Sequence, residues 1–296
     1  MAKPISIKNG KDNLWSLALL LPILIPLIIF WIYPMIKTFH ISFTNWDYIS
    51  PTYDYVMLEN YKNIMGDSFF VKVLMNTLVF TVFTVLPPIL IGLLVAIPLS
   101  KIKAFRTFFV ASAFSSWITP TVVVSMVWVS IFDTDSGIVN AILKELGAEP
   151  VKWLGGQTTA MAVVIIVTIW QYLGLGILLL TSAMAKLDPE VEKANDLDGG
   201  KGLRKLIKIT LPAISPILVF LFIFYTLNSL KAYDQIYILT QGGPSGATST
   251  ILYYFYVLAF EWYETGSASA LAIIFLLLCL LISAINFFLS KYLFKK

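Results

Sequence analysis

Residues 186–216 read KLDPEVEKANDLDGGKGLRKLIKITLPAISP, a charged stretch set between two long apolar ones. Asp188 followed by Pro189 has the chemistry of a helix N-cap and a first helical residue. Glu190 and Glu192 then fall near the positive end of the helix dipole. Asp198-Gly199-Gly200 ends that helix, because glycine adopts backbone angles that other residues resist. A second short helix is expected next. Leu203, Leu206 and Ile207 share one face of it at i, i+3, i+4 spacing, and Arg204, Lys205 and Lys208 point elsewhere. Pro212 and Pro216 mark where the next apolar segment begins. This is a helix–turn–helix elbow with one apolar face. It either docks into another protein or lies on the lipid surface with its basic residues among anionic headgroups, and pattern alone leaves both open.

Working outward from the elbow, six segments are long and apolar enough to cross a bilayer core, which needs about 20 residues per helix. They are roughly 14–35, 73–99, 107–131, 160–184, 213–239 and 268–290. Composition agrees: 58% of the 296 residues are hydrophobic and 13% are charged, so bilayer rather than water is the natural solvent. Pro87-Pro88 and Pro98 interrupt the second segment, which is kept whole because neighbouring groups in a membrane bundle can satisfy the freed carbonyls. The first segment follows Lys3, Lys8 and Lys11 as a signal peptide would. It runs on to about Met35 without a small-residue cleavage site and is read as a retained helix. With no short repeat and no linker, the chain is expected to be one transmembrane domain, 1–296, with a cytoplasmic loop at 186–212.

Lysine and arginine bias sets orientation. An N-terminus in the cytoplasm places fifteen of the 21 basic residues inside, in clusters such as Lys101, Lys103, Arg106 and Lys201, Arg204, Lys205, Lys208. Both termini are then cytoplasmic, which requires an even number of spans. Chemistry is sparse elsewhere. His40 is the single histidine and Cys279 the single cysteine, so neither a histidine metal cluster nor an intrachain disulfide is expected. Gly199-Gly200-Lys201 lacks the spacing of a phosphate-binding loop, so no ATP hydrolysis is expected of this chain. No catalytic residue and no metal ligand is assigned.

The elbow also resembles the loop of permease subunits of bacterial binding-protein-dependent ABC importers. That loop reads Glu-Ala-Ala, a spacer, Asp-Gly-Ala, five variable residues, then Phe-x-x-Ile-Thr-Leu-Pro. Ala194, Asp198-Gly199 and Ile209-Thr210-Leu211-Pro212 fall on this pattern, with Leu206 at the phenylalanine position. Lys193 stands at the leading glutamate, Asn195 at an alanine, and Gly200 at the alanine after Asp-Gly, while Glu192 is one residue early. These departures touch the ion pair that the leading glutamate makes with an ATPase, not the coupling helix itself. A second segment, Leu239-Thr240-Gln241-Gly242-Gly243-Pro244 with Thr250 and Ala259-Phe260, is similar to the Leu-Thr-x-Gly-Gly-Pro signature of the sugar-permease branch, the maltose and glycerol-phosphate importer type. Tyr33-Pro34, Ser42-Phe43, Asn76-Thr77, Gly137 and Asn140 also fall where that branch shows similar residues, so the resemblance spans nearly the whole chain.

The resemblance implies an all-α membrane protein with six transmembrane helices, a type I ABC importer permease fold with a cytoplasmic coupling helix, in a bacterial cytoplasmic membrane. It implies a second homologous permease subunit, an ATPase dimer holding the ATP and Mg2+, and an extracellular or periplasmic substrate-binding protein. Its ATPase-coupling residues would be Glu192, Lys193, Ala194, Asp198, Gly199, Gly200, Leu203 and Leu206. By position it also implies a sugar path along Gln171, Tyr172, Leu175, Tyr225, Ser229 and Ala232. Helical spacing independently puts Tyr225, Ser229 and Ala232 on one face with Asn228 beside it, and polar groups inside spans often line a pathway. The same groups could instead bond between helices. The function expected is ATP-driven import of a mono- or oligosaccharide by alternating access. The alternatives are an ion-gradient-driven secondary transporter, or ABC import of glycerol phosphate or another polar solute.

Overall fold

A computed structural model of the chain describes residues 10–187, 190 and 202–293, and the side chains of 19–187, 190 and 202–288. Without water to satisfy them, backbone groups at membrane depth must bond within their own segment, and helices do this. The helices are α1 (Gly10–Leu27), α2 (Tyr33–Ile41), α3 (Glu59–Gly66), α4 (Ser68–Lys101), α5 (Arg106–Ile118), α6 (Thr121–Ile131) and α7 (Ile138–Glu145). They continue with α8 (Thr159–Met184), α9 (Leu203–Leu230), α10 (Asp234–Leu239), α11 (Ile251–Tyr256) and α12 (Thr265–Leu293). Five segments can cross a membrane by length and composition, or six if α5 and α6 together count as one. Among the described residues the one β pairing is an isolated bridge between Thr44 and Tyr55.

The chain forms two compact units, Met1–Ile64 with Leu258–Ile274, and Met65–Val257 with Phe275–Lys296. In the first, a π turn at Ile28–Ile32 joins α1 to α2 without a break. Most of the described apolar side chains along this helix, Leu19, Ile23, Phe30 and Trp31 among them, are exposed, as suits lipid, and Ile41 at its end is buried. The buried Asn60 amide donates to the carbonyls of Ser42 (2.9 Å) and Thr44 (2.8 Å), and the Gly266 N–H donates to the Trp46 carbonyl. Gly266 has no room for a side chain there, since a Cβ would sit 2.0 Å from the Thr44 oxygen.

The second unit is organised around α8, which packs against α4, α5, α9 and α10. Small residues make this possible, because in lipid helices associate by close packing rather than by hydrophobic exclusion. Gly174 faces α5, where an added Cβ would lie 2.5 Å from both the Ala113 carbonyl and the Ser116 hydroxyl. Gly176 faces the other way, toward the Pro88 carbonyl of α4 and the Tyr225 hydroxyl of α9, and Gly92 of α4 meets the same turn of α8. α4 runs through Pro87, Pro88 and Pro98 for 34 residues, longer at both ends than the expected 73–99, and Asp67 caps its first turn by accepting from the Phe69 N–H.

Two expected spans differ in the structure. The third, 107–131, is not one straight helix: α5 and α6 meet at a 94° bend at Thr119-Pro120. Proline has no N–H to continue the ladder and biases the residue before it toward extended backbone, and Thr119 is extended at ψ 129°. The fifth, 213–239, starts ten residues earlier at Leu203 and stops at Leu230; Asp234–Leu239 is a separate helix, α10, packed on α6. The short second helix of the elbow is therefore continuous with the span. A π turn at Leu206–Thr210, closed by the Leu211 N–H on the Leu206 carbonyl, carries the ladder to Pro212. Further on, the Ser215 hydroxyl donates to the Pro212 carbonyl (2.8 Å), which Pro216 cannot reach with an N–H.

Beyond α6 the loop is fixed by its own polar groups. Buried Asn140 donates to the carbonyls of Thr134 and Val151 and accepts from the Val151 N–H and the Trp153 indole. The Ser136 N–H and hydroxyl hold the Asp133 carboxyl below its ordinary pKa. The Gly242–Thr250 turn is anchored to α4 by the Asn76 amide on the carbonyls of Gly246 and Ser249, and by Lys72 on the Ser245 carbonyl. Gly242 and Gly246 both have positive φ, with a tyrosine and a phenylalanine ring respectively where a Cβ would go. The glycines of this segment thus serve its close packing.

Candidate functional site

α9 presents two adjacent stripes. On the buried one, Tyr225 stacks on Tyr172 of α8 with ring centroids 4.7 Å apart, and its hydroxyl donates to the Tyr172 carbonyl at 2.6 Å. One turn on, the Ser229 hydroxyl bonds Thr84 of α4 at 2.7 Å, with the Tyr172 side chain beside it. Ala232 is buried as well, and its carbonyl accepts from Thr250. Leu175 packs half-buried against the tyrosine pair. Tyr225 and Ser229 share the buried face that their spacing implies, Ala232 follows just beyond the helix end, and the polar groups here join α4, α8 and α9.

On the second stripe, Phe220 stacks on Phe224 (5.4 Å), and the Asn228 amide donates to the Phe224 carbonyl at 2.8 Å. Trp117, from the last turn of α5, lies against both Phe224 (5.7 Å) and Tyr172 (5.8 Å). Asn228, Phe224 and Trp117 are half-buried and Phe220 is exposed. The aromatic stack thus runs from the tyrosine pair out to the surface of this chain.

Gln171 sits at the bend of α5 and α6. Its amide donates to the Thr121 hydroxyl (3.0 Å) and to the Thr119 carbonyl (3.4 Å), a backbone group at the proline break. Sequence reasoning missed Trp117, Thr121, Phe220 and Phe224. The signal was the Trp-x-Thr-Pro run at 117–120 and the i, i+4, i+8 spacing of Phe220, Phe224 and Asn228, both hidden in segments apolar throughout.

At the far end of α9, Leu203 is 70% and Ile207 55% exposed, while Leu206 is half-buried; Leu203 and Leu206 both line a cleft of about 570 Å³ with Ile97 and Met184. The expected apolar face is present on Leu203 and Ile207, and Leu206 is partly withdrawn from it. Glu192, Lys193, Ala194, Asp198, Gly199 and Gly200 lie outside the described residues.

If Ser229 serves only to join helices, Ser229→Ala removes its bond to Thr84, whose hydroxyl still donates to the Phe80 carbonyl, at a cost of about 1 kcal/mol, and the same substitution costs less in a Thr84→Val background, where that bond is already gone. Thermal melts of the four proteins read this cycle. A substrate contact would instead show as a raised KM that Thr84→Val does not repair.

The chain is helical and multi-pass, with several apolar helices long enough to cross a membrane. It belongs to the family described as the binding-protein-dependent transport system inner membrane component, which matches residues 88–295, and within it to the sugar-permease branch of ABC importer permeases. It is 30% identical to the multiple sugar-binding transport system permease protein MsmF of Streptococcus mutans, covering 97% of this chain and 98% of that one. It is 29% identical to the arabinooligosaccharides transport system permease protein AraP of Bacillus subtilis, covering 91% and 86%. It is also 30% identical to the trehalose/maltose transport system permease protein MalF of Thermococcus litoralis, covering 88% of each. In fold it resembles a chain of a bacterial alginate ABC transporter in complex with alginate pentasaccharide-bound periplasmic protein, with a TM-score of 0.83, 21% identity and 97% of each chain covered.

Proposed function

We propose that this chain forms half of the channel of an ATP-driven carbohydrate importer and passes its substrate by alternating access. One observation carries the reading. α9 is a single helix of 28 residues, about 42 Å long, with the exposed Leu203 and Ile207 at one end and the Tyr225–Ser229 turn near the other. A push on the docking end moves the buried stripe as one body, and α8 and α4 are bonded to that stripe. Such rigid coupling is what rocking of packed helices between two arrangements requires.

The partner at the docking end is an ATPase dimer, which holds ATP and Mg2+. A second permease closes the channel, and an external binding protein delivers the sugar. Both termini and the elbow are cytoplasmic, in keeping with the distribution of basic residues. Phe220, Phe224, Trp117 and Asn228 face the path, offering rings for sugar C–H surfaces and an amide for hydroxyls. Tyr172, Tyr225, Ser229, Leu175 and Ala232 hold them from behind, and Gln171 fixes the bend. The side chains named here are neutral, which suits a neutral mono- or oligosaccharide better than glycerol phosphate.

The test is uptake by the reconstituted transporter. Trp117→Leu and Asn228→Leu are expected to raise the KM for sugar about tenfold, the loss of one or two good contacts, with ATP hydrolysis still stimulated by the loaded binding protein. Unchanged KM in both variants would remove this stripe from the path.

A further inference from the structure

A second cavity, of about 420 Å³, lies between α5 and α8 at the end of the bundle that carries Arg106. Its lining is graded. Arg106, Thr107 and Ala185 form the mouth, Thr181 and Ser182 stand about one turn in from Ala185, and Val110, Phe114 and Leu178 continue the groove deeper along the two helices. Arg106 is the one charged residue of the lining. Thr181 is only 2% exposed, and its hydroxyl has no hydrogen-bond partner. A buried hydroxyl left unpaired costs free energy unless something completes it. α5 begins here with Phe105 in left-handed backbone at φ 59° and no side-chain cap, so first-turn amides also open toward this end.

We infer that this groove holds one anionic phospholipid of the cytoplasmic leaflet. Its phosphate sits on Arg106, Thr107 and the α5 N-terminus, with a headgroup or glycerol oxygen reaching Thr181. One acyl chain lies along Val110, Phe114 and Leu178. The polarity of the groove runs in the same sense as that of a lipid, a cation and hydroxyls at the interface and only carbon below. Basic pockets between helices on the cytoplasmic side are the usual setting for anionic headgroups. This inference rests on the proposed sidedness for the leaflet, but not for the binding.

The test is native mass spectrometry of the purified full chain in detergent, stripped of lipid and titrated with phosphatidylglycerol or phosphatidylcholine of equal chain length. Wild type is expected to retain phosphatidylglycerol preferentially. Arg106→Gln should lower that retention about five-fold, the factor one basic residue contributes at a membrane surface. Thr181→Val keeps the side-chain shape and should also lower it; were the hydroxyl merely structural, lipid retention would not move. Equal retention of both lipids by wild type, or no effect of Arg106→Gln, would overturn the inference. Displacement by millimolar inorganic phosphate, with no dependence on acyl-chain length, would overturn it in favour of a free-anion site. Retention in detergent is blind to sidedness, so failure here is distinct from failure of the orientation, which labelling reads.

Discussion

Leu203→Asp combined with Ile207→Asp is expected to abolish sugar uptake and co-purification of the ATPase while leaving the chain normally inserted. Both side chains are exposed and one helical turn apart, so the substitutions cost little within this chain. In a docked interface they would be central apolar anchors, and losing two anchors at about 2 kcal/mol each weakens docking roughly a thousand-fold. Arg204→Gln, off that face, should change association much less. The pair separates the two readings of the elbow that pattern leaves open. An elbow lying on lipid would lose membrane contact and keep its ATPase.

The second large effect is structural. Gly174→Leu should reduce monodisperse protein on size-exclusion chromatography at least about tenfold, with Gly174→Ala intermediate. A Cβ at this position meets the Ala113 backbone oxygen at 2.5 Å, and a backbone cannot swing aside as a long side chain can. Overpacking costs about 1–3 kcal/mol even where neighbours yield. Here α5 would be wedged from α8, and the bend that Gln171 pins would move with it. Gly155→Leu is the control, since its nearest neighbour, the Lys152 Cβ, lies at an ordinary 3.8 Å.

The helices α4, α8 and α12 were legible because hydropathy over about 20 residues is a strong signal. Their ends extend at most five residues past the expected bounds. The bend at Thr119-Pro120 was not, because both sides of it are apolar and other prolines, Pro87 and Pro88, sit in an unbroken helix. Proline removes one bond wherever it falls; whether a helix survives depends on what receives the freed carbonyl, and that is tertiary information. Pro212 shows the same limit. It reads as a boundary with Pro216, yet a π turn before Pro212 and the Ser215 hydroxyl, on the carbonyl that Pro216 frees, keep the helix intact.

In the candidate site, i, i+4 spacing placed Tyr225 and Ser229 together, and the structure adds their partners, Tyr172 and Thr84. Spacing alone could not tell which stripe of α9 is enclosed by this chain and which is open. Phe220 and Phe224 look like lipid-facing residues until Trp117 is found against the stack. The two-sided packing of Gly174 and Gly176 is likewise invisible in one dimension, since any small residue in a span can be incidental.

ATP-driven import by this chain requires the tip of α9 to be a cytoplasmic surface clasped by a motor. Leu203→Cys in a Cys279→Ser background, probed with a membrane-impermeant maleimide, tests this directly. Labelling is expected in inverted vesicles, with protection when the ATPase is added, and none in intact cells. Labelling from the exterior of intact cells would contradict it, because no nucleotide-driven subunit could then reach the helix it is meant to move.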